Sequence, residues 1–207
     1  MQQVFPTKGN LIQLKKQLDL AKLGYELLDK KRNIMLREML SLAKIADDNQ
    51  NDLNVRFNTA YKKLQNANMT VGQTNIIEAA NTISVSDDLT IRMRSIMGVE
   101  ISEVIIKEFQ PKVSYGFLDT DYYVDEAYIE FNMVKQLAAR QAALENNIYK
   151  LAYAIKQAQK RANALKNIVI PNLISQIAYI TNYLEEKERD EFAILKILKS
   201  KNKGTSQ

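Results

Sequence analysis

Leu11-Ile12-Gln13-Leu14-Lys15-Lys16-Gln17-Leu18-Asp19-Leu20-Ala21 opens a run in which apolar side chains return at alternating steps of three and four. Continued along the chain, the spacing selects positions 11, 14, 18, 21, 25, 28, 32, 35, 39, 42, 46, 49 and 53, and among these only Arg32 and Asn49 are polar. That period marks a single narrow apolar stripe on a long helix. A second stripe falls on Val134, Leu137, Gln141, Leu144, Ile148, Leu151, Ile155, Ala158, Ala162, Leu165 and Val169, where Gln141 alone is polar. Neither stripe can close a core by itself. The two helices are therefore expected to zip together as a long antiparallel coiled coil, a rod in one elongated domain spanning 1–207.

Outward from the stripes, Pro6-Thr7 reads as the start of the first helix, with Thr7 able to cap its free amides. After Leu53 the stripe shifts to Phe57, Ala60, Leu64, Ala67 and Val71, a stutter that locally straightens a left-handed supercoil. The first helix thus covers 8–71, roughly 90 Å at 1.5 Å per residue. Residues 72–124 hold Gly72, Gly98, Pro111 and Gly116 and lose the long period. A short helix fits Gln73 to Ala80. Leu89-Thr-Ile-Arg-Met-Arg94 alternates with period two, Ser95-Ile-Met-Gly98 offers a turn, and Val99 to Ile106 is rich in β-branched residues. The excursion is read as a small head at the loop end, with a β-hairpin at about 89–106. Asp119-Thr120-Asp121 can cap the second long helix, expected over 125–200, with a flexible tail at 201–207. Pro171 removes one helical hydrogen bond and meets the carbonyl of Asn167, so a kink or break is expected there.

Composition narrows function. The chain has 46% hydrophobic and 26% charged residues, as soluble folded proteins do, and no cysteine or histidine. Disulfides, thiolate and imidazole metal sites, and nucleophile–histidine pairs are excluded. No phosphate-cradling glycine-lysine loop and no paired-glycine dinucleotide fingerprint occurs. No catalytic, cofactor or metal residue is expected. The adjacent carboxylates Asp47-Asp48, Asp87-Asp88 and Glu185-Glu186 fit solvated faces or loops better than acid–base pairs, because neighbours on a helix diverge by about 100°. Net charge is +5 from 29 basic and 24 acidic residues, interleaved and without a nucleic-acid-binding motif. No stretch approaches the roughly 18 apolar residues of a membrane span, so direct membrane insertion is not expected.

Some positions admit two readings. Gly24 inside a strong helical pattern costs about 1 kcal/mol relative to Ala, which close approach of the neighbouring helix or a contact with another chain would explain. Arg32 and Asn49 in the seam fit a role in fixing register. Tyr115, Phe117, Tyr122 and Tyr123 make either a small satellite core or a partner-binding surface.

Several segments together resemble the D subunit of the V-type and A-type ATPases. They are Pro6-Thr7-Lys8 with Leu11, Leu14-Lys15 and Leu18; Ala21-Lys-Leu-Gly24-Tyr25-Glu-Leu27-Leu28-Asp-Lys30-Lys31-Arg32; Ile96-Met97-Gly98-Val99-Glu100-Ile101; and Tyr115-Gly116-Phe117-Leu118-Asp119-Thr120. Near the end come Lys160-Arg161-Ala162-Asn163-Ala164-Leu165-Lys166, Ile170-Pro171-Asn172-Leu173, Tyr179-Ile180 and Leu184-Glu185-Glu186-Lys187-Glu188-Arg189. Their order and spacing over nearly the whole chain carry the resemblance. Tyr25 stands where that family usually has His, Asp29 where it usually has Lys, and Lys166 where it often has Glu.

The resemblance implies a non-catalytic central-stalk rotor whose paired termini enter a hexameric head of catalytic A and non-catalytic B subunits. The other end would bind the F subunit and a funnel-like adaptor to the membrane rotor ring, which carries H+ or Na+. The chain would then be cytoplasmic and peripheral to a membrane through the complex. Given the family, Lys15, Lys16, Lys22, Lys160 and Arg161 are candidates for the catalytic head, with ordinary solvated helix faces as the plain reading. The aromatic set Tyr115, Phe117, Tyr122 and Tyr123 is assigned to the companion or adaptor subunits. A free-standing helical-hairpin scaffold or chaperone would share the seam without needing the terminal signatures. A curved membrane-binding dimer would need a continuous basic face, which the scattered acids interrupt.

Overall fold

Thr7 closes the first turn of α1, Lys8–Thr70, accepting at Oγ1 from the amide of Asn10 at 3.2 Å while its carbonyl takes the amide of Leu11. The computed structural model describes residues 5–83, 89–106, 114–116 and 120–204, with side chains to residue 199. After α1 come α2, Gln73–Thr82; strands β1, Leu89–Ile96, and β2, Val99–Ile106; α3, Tyr122–Ala164; a π-helical turn, Leu165–Val169; and α4, Ile170–Gly204. The protein is mainly α, with two long helical segments and an antiparallel β-hairpin between them in sequence. Gly72, between α1 and α2, has φ 87°, a positive value open to glycine without a Cβ penalty. The amide of Tyr122 bonds Asp121 Oδ1 at 2.7 Å to start α3. Asp119 lies outside the described residues.

The stripes face inward. All thirteen positions from Leu11 to Leu53 are buried or half-buried, as are Phe57, Ala60, Leu64, Ala67 and Val71 after the stutter. On the second helix the same holds from Val134 to Leu165, but Val169 is 37% exposed and half-buried Ile170 takes its place. The π-turn causes the slip. Ile170 N–H reaches back five residues to the carbonyl of Leu165, which inserts one residue into the helix just before Pro171. The widened turn spans Asn167, whose carbonyl the proline ring would otherwise meet, so the helix continues where a break was an expected outcome. Leu173, Ile177, Ile180 and Leu184 then resume the seam.

The chain forms two compact units, one of Met1–Arg32 with Lys156–Gln207 and the other of Asn33–Ile155. In the first, Lys8 pairs with Glu188 at 2.8 Å, Gly24 faces Leu165, and Arg32 donates to Gln159, so ascending α1 numbers meet descending partners. The helices there are antiparallel. A Cβ on Gly24 would meet Leu165 Cδ1 at 3.7 Å, an ordinary contact, so close approach of the backbones does not account for this glycine.

In the second unit Leu53, Ala60 and Val134 form a core with Phe57, Phe131, Leu137 and Ala138. Lys63 pairs with Glu130 at 3.2 Å, and Asn49 Nδ2 bonds Gln141 Oε1 at 2.9 Å and the Leu137 carbonyl at 3.2 Å. Asn49 and Gln141, the polar seam residues of this unit, therefore answer one another. Helix α2 covers the end of this pair, where Ala67, Ala79, Tyr115 and Val124 cluster with Val71, Ile76 and Tyr128.

Met97 at φ 50° and Gly98 at φ 80° make the two-residue turn of the hairpin, with Leu89 paired to Ile106 and Ile96 to Val99. Positive φ at both central residues matches the right-handed twist of the strands. The hairpin folds back along its unit. Ser102 of β2 bonds Asn147, about seven turns into α3, and Arg94 of β1 pairs with Glu38, about nine turns before the end of α1. It lies beside the helices at that level, and α2 with Tyr115 occupies the loop end.

Candidate interaction surfaces

Helix spacing sets what each surface can present, because side chains off the seam point to solvent. Lys15, Lys16, Lys22, Lys160 and Arg161 are all exposed in the first unit, and none forms an ion pair among the described residues. They are spread along the unit. The Arg32–Gln159 bond sets Lys160 and Arg161 level with the start of the 30s on α1, whereas Lys15 and Lys16 lie several turns toward the N-terminus. Exposed Lys30, Lys156 and Lys166 extend the positive charge, and no acidic residue occurs between Lys156 and Leu184. That acid-free run was legible in the sequence.

The aromatic set divides. Tyr115 points inward, packing edge-on against Tyr128 at 6.0 Å and donating to Asp125. Burial, then the Asp125 carboxylate, pushes its phenol well above the usual tyrosine range. It belongs to the small core. Tyr122, 65% exposed, and Tyr123 face outward at the start of α3, with rings 6.0 Å apart. The Tyr122 hydroxyl donates to Glu126 at 2.7 Å, and that bond raises its pKa. Phe117 lies outside the described residues.

Two features had no place in the pattern reading. Asn147 sits one residue off the seam and is buried, its carboxamide accepting from Ser102 N–H at 2.8 Å and donating to the Ser102 carbonyl. Beside it a cavity of ≈ 380 Å³ is lined by Ile45, Asn49, Arg94, Ile101, Arg140 and Leu144, among others. Second, beyond Glu188, where α1 begins opposite, α4 carries exposed Phe192, Ile194, Leu195, Ile197 and Leu198. Phe192, Leu195 and Leu198 recur at helical spacing in the sequence, but only the staggered helix ends reveal that these side chains lie beyond the start of α1. Exposed apolar residues in such density mark a contact surface.

No cluster of three acidic, histidine or cysteine residues able to hold a metal exists among the described residues, and no described helix is long and apolar enough to cross a membrane. The fold is mainly α, and its exposed apolar residues on α4 are of the kind found at contacts with other chains. A family model for the D subunit of ATP synthase matches residues 10–200, and the chain belongs to that family. It is 42% identical to the D subunit of the V-type ATP synthase of Thermotoga neapolitana over 198 residues, 96% of this chain and 98% of that one. To the D subunit of the A-type ATP synthase of Pyrococcus furiosus it is 32% identical, covering 95% and 94% of the two chains. The Methanopyrus kandleri A-type D subunit is also 32% identical, over 96% and 87%.

Proposed function

We propose that the chain is the central-stalk rotor of a V/A-type rotary ATPase and couples nucleotide turnover in an A/B hexamer to transmembrane H+ or Na+ transport. The observation that carries this reading is the match to the D-subunit family along nearly the whole chain. The chain itself is non-catalytic and binds no cofactor. The apolar end of α4 and the nearby exposed bases Lys15, Lys16 and Lys22 suit insertion into the hexamer. Lys160 and Arg161 contact the same head from farther along. Exposed Tyr122 and Tyr123 form the seat for the F subunit and the funnel-like adaptor, with Phe117 close to them in sequence and Tyr115 supporting them from the small core. The protein is cytoplasmic and held at the membrane through the complex.

The mechanism is steric and electrostatic. Catalytic sites around an asymmetric axle touch different faces of it, so each orientation favours a different open or closed state. Rotation moves that preference around the ring. Reconstituting the A/B hexamer with and without this chain, with a bead tethered near Tyr122, tests the reading. ATP-driven rotation is expected, and equal turnover without rotation overturns it. A scaffold or chaperone would instead co-purify with client proteins.

A further inference from the structure

Ser102 gives both main-chain groups to the Asn147 carboxamide, N–H to Oδ1 at 2.8 Å and carbonyl from Nδ2 at 2.6 Å. Neither group is therefore turned toward β1, and the pair Ser102–Met93 is a non-hydrogen-bonded one. Alternation along the ladder then fixes every other position. Leu89, Ile91, Met93 and Ser95 direct their amides and carbonyls away from β2, while Thr90, Arg92, Arg94 and Ile96 bond to it.

The two edges of the hairpin consequently differ. On the outer edge of β2 the main chain of Ser102 is taken up by Asn147, whose side-chain amide stands in there for a neighbouring strand. Among the described residues β1 pairs with β2 alone, and every β1 residue but half-buried Ile96 is exposed. Leu89, Ile91 and Met93 share one face and are 47%, 57% and 60% exposed. Arg92 and Arg94 lie on the other face, Arg94 already on Glu38 at 2.9 Å. The edge has no proline and no bulge, two of the usual protections, and its charged side chains are Arg92 and Arg94.

We propose that the open edge of β1 is a strand-addition site for an extended segment of another polypeptide. That segment presents apolar side chains at alternate positions, beside Leu89, Ile91 and Met93, and carboxylates between them, beside Arg92. Outward main-chain groups recognise an extended backbone, and the two faces of β1 set its side-chain pattern. The site is independent of the rotor reading and can be tested apart from it.

The full-length chain is titrated by fluorescence anisotropy with a short labelled peptide of alternating valine and glutamate. Three controls accompany it: the same peptide N-methylated at alternate amides on the pairing edge, a valine–lysine peptide, and the variant Ile91→Pro. Proline at Ile91 removes an outward amide while leaving the bonds to β2. Slow hydrogen exchange at Ser102 reports whether the hairpin is retained, and if it is lost the N-methylated peptide carries the test. Saturable binding, weakened about tenfold or more by N-methylation or by Ile91→Pro and weakened by lysine, is expected. Absence of saturation, or binding indifferent to N-methylation, overturns the proposal. So does sedimentation showing that the chain self-associates through this edge, since a second copy would then be the occupant.

Discussion

Lys166 Nζ sits over the ring of Tyr25, 5.9 Å from its centroid. These are two of the three positions at which the sequence departs from the usual D-subunit pattern, and they meet inside one unit. The third departure, Asp29, pairs with Arg32 at 2.7 Å. Each altered residue therefore has an internal partner, and changed neighbouring subunits are not needed to explain the substitutions. A cation over an aromatic face is worth about 0.5–1 kcal/mol at an exposed site. Lys166→Glu is expected to lose that much, because a carboxylate faces the negative ring, and Tyr25→His introduced with it to recover part. A double-mutant cycle by urea unfolding measures the coupling, and additive effects would remove the pairing.

The part-buried Asn49–Gln141 contact should behave asymmetrically. Replacing Asn49 alone with Leu leaves the Gln141 carboxamide short of a partner, at a cost of about 1–3 kcal/mol. Replacing both with Leu is expected to be nearly neutral in stability, yet to relax the register that the polar pair fixes. Denaturation midpoints test the first statement. Cysteines placed at Leu53 and Val134, and at positions one turn displaced, test the second by the ratio of their oxidation products.

Gly24→Ala is expected to stabilise α1 by about 1 kcal/mol, since the added methyl meets Leu165 at an ordinary contact distance and the helix loses a glycine. A fall in Tm would show that the added methyl meets Leu165 more tightly than the 3.7 Å contact implies. If stability rises while turnover of the reconstituted complex falls, the glycine serves a contact with another chain.

Lys8 and Glu188 form an exposed ion pair whose hydrogen bond raises the lysine pKa and lowers the glutamate pKa. For Glu188 the contribution is present above the ordinary glutamate pKa and is lost as pH falls through the lowered value. For Lys8 it is full below the ordinary lysine pKa and is lost as pH rises through the raised one. Between these limits the pair pins the start of α1, and outside them the first turn frays. Because both side chains are in water, salt should screen the effect. The protection of the Leu11 and Ile12 amides, measured as exchange relative to the intrinsic rate at each pH, should fall on acidification through the lowered glutamate pKa and on adding salt, with global Tm unchanged, and indifference to both would refute the pinning.

Helix, seam and strand were legible in local pattern because each depends on neighbours a few residues away. The stripe from Leu11 to Val71 follows from a period of about 3.6 residues, and Leu89–Ile96 from a period of two. Thr7 and Asp121 likewise announced their helix starts through bonds that span at most four residues. The basic and aromatic candidates were found by residue type, but type does not say which way a side chain points: Tyr115 turned inward and Tyr122 outward.

What tertiary structure alone decided involves partners far apart in the chain. Asn147 looks like an ordinary polar residue beside the seam until Ser102, 45 positions earlier, is laid against it. The one-residue slip before Pro171 arises from a helix choosing a wider turn over a break, because the seam on its far side still offers Leu173, Ile177 and Ile180 a place to bury. The bare apolar end of α4 exists only because α4 runs on past the level at which α1 begins. Periodicity is a property of one segment. Register, edge closure and helix stagger are properties of pairs, set by burial and hydrogen bonding between segments.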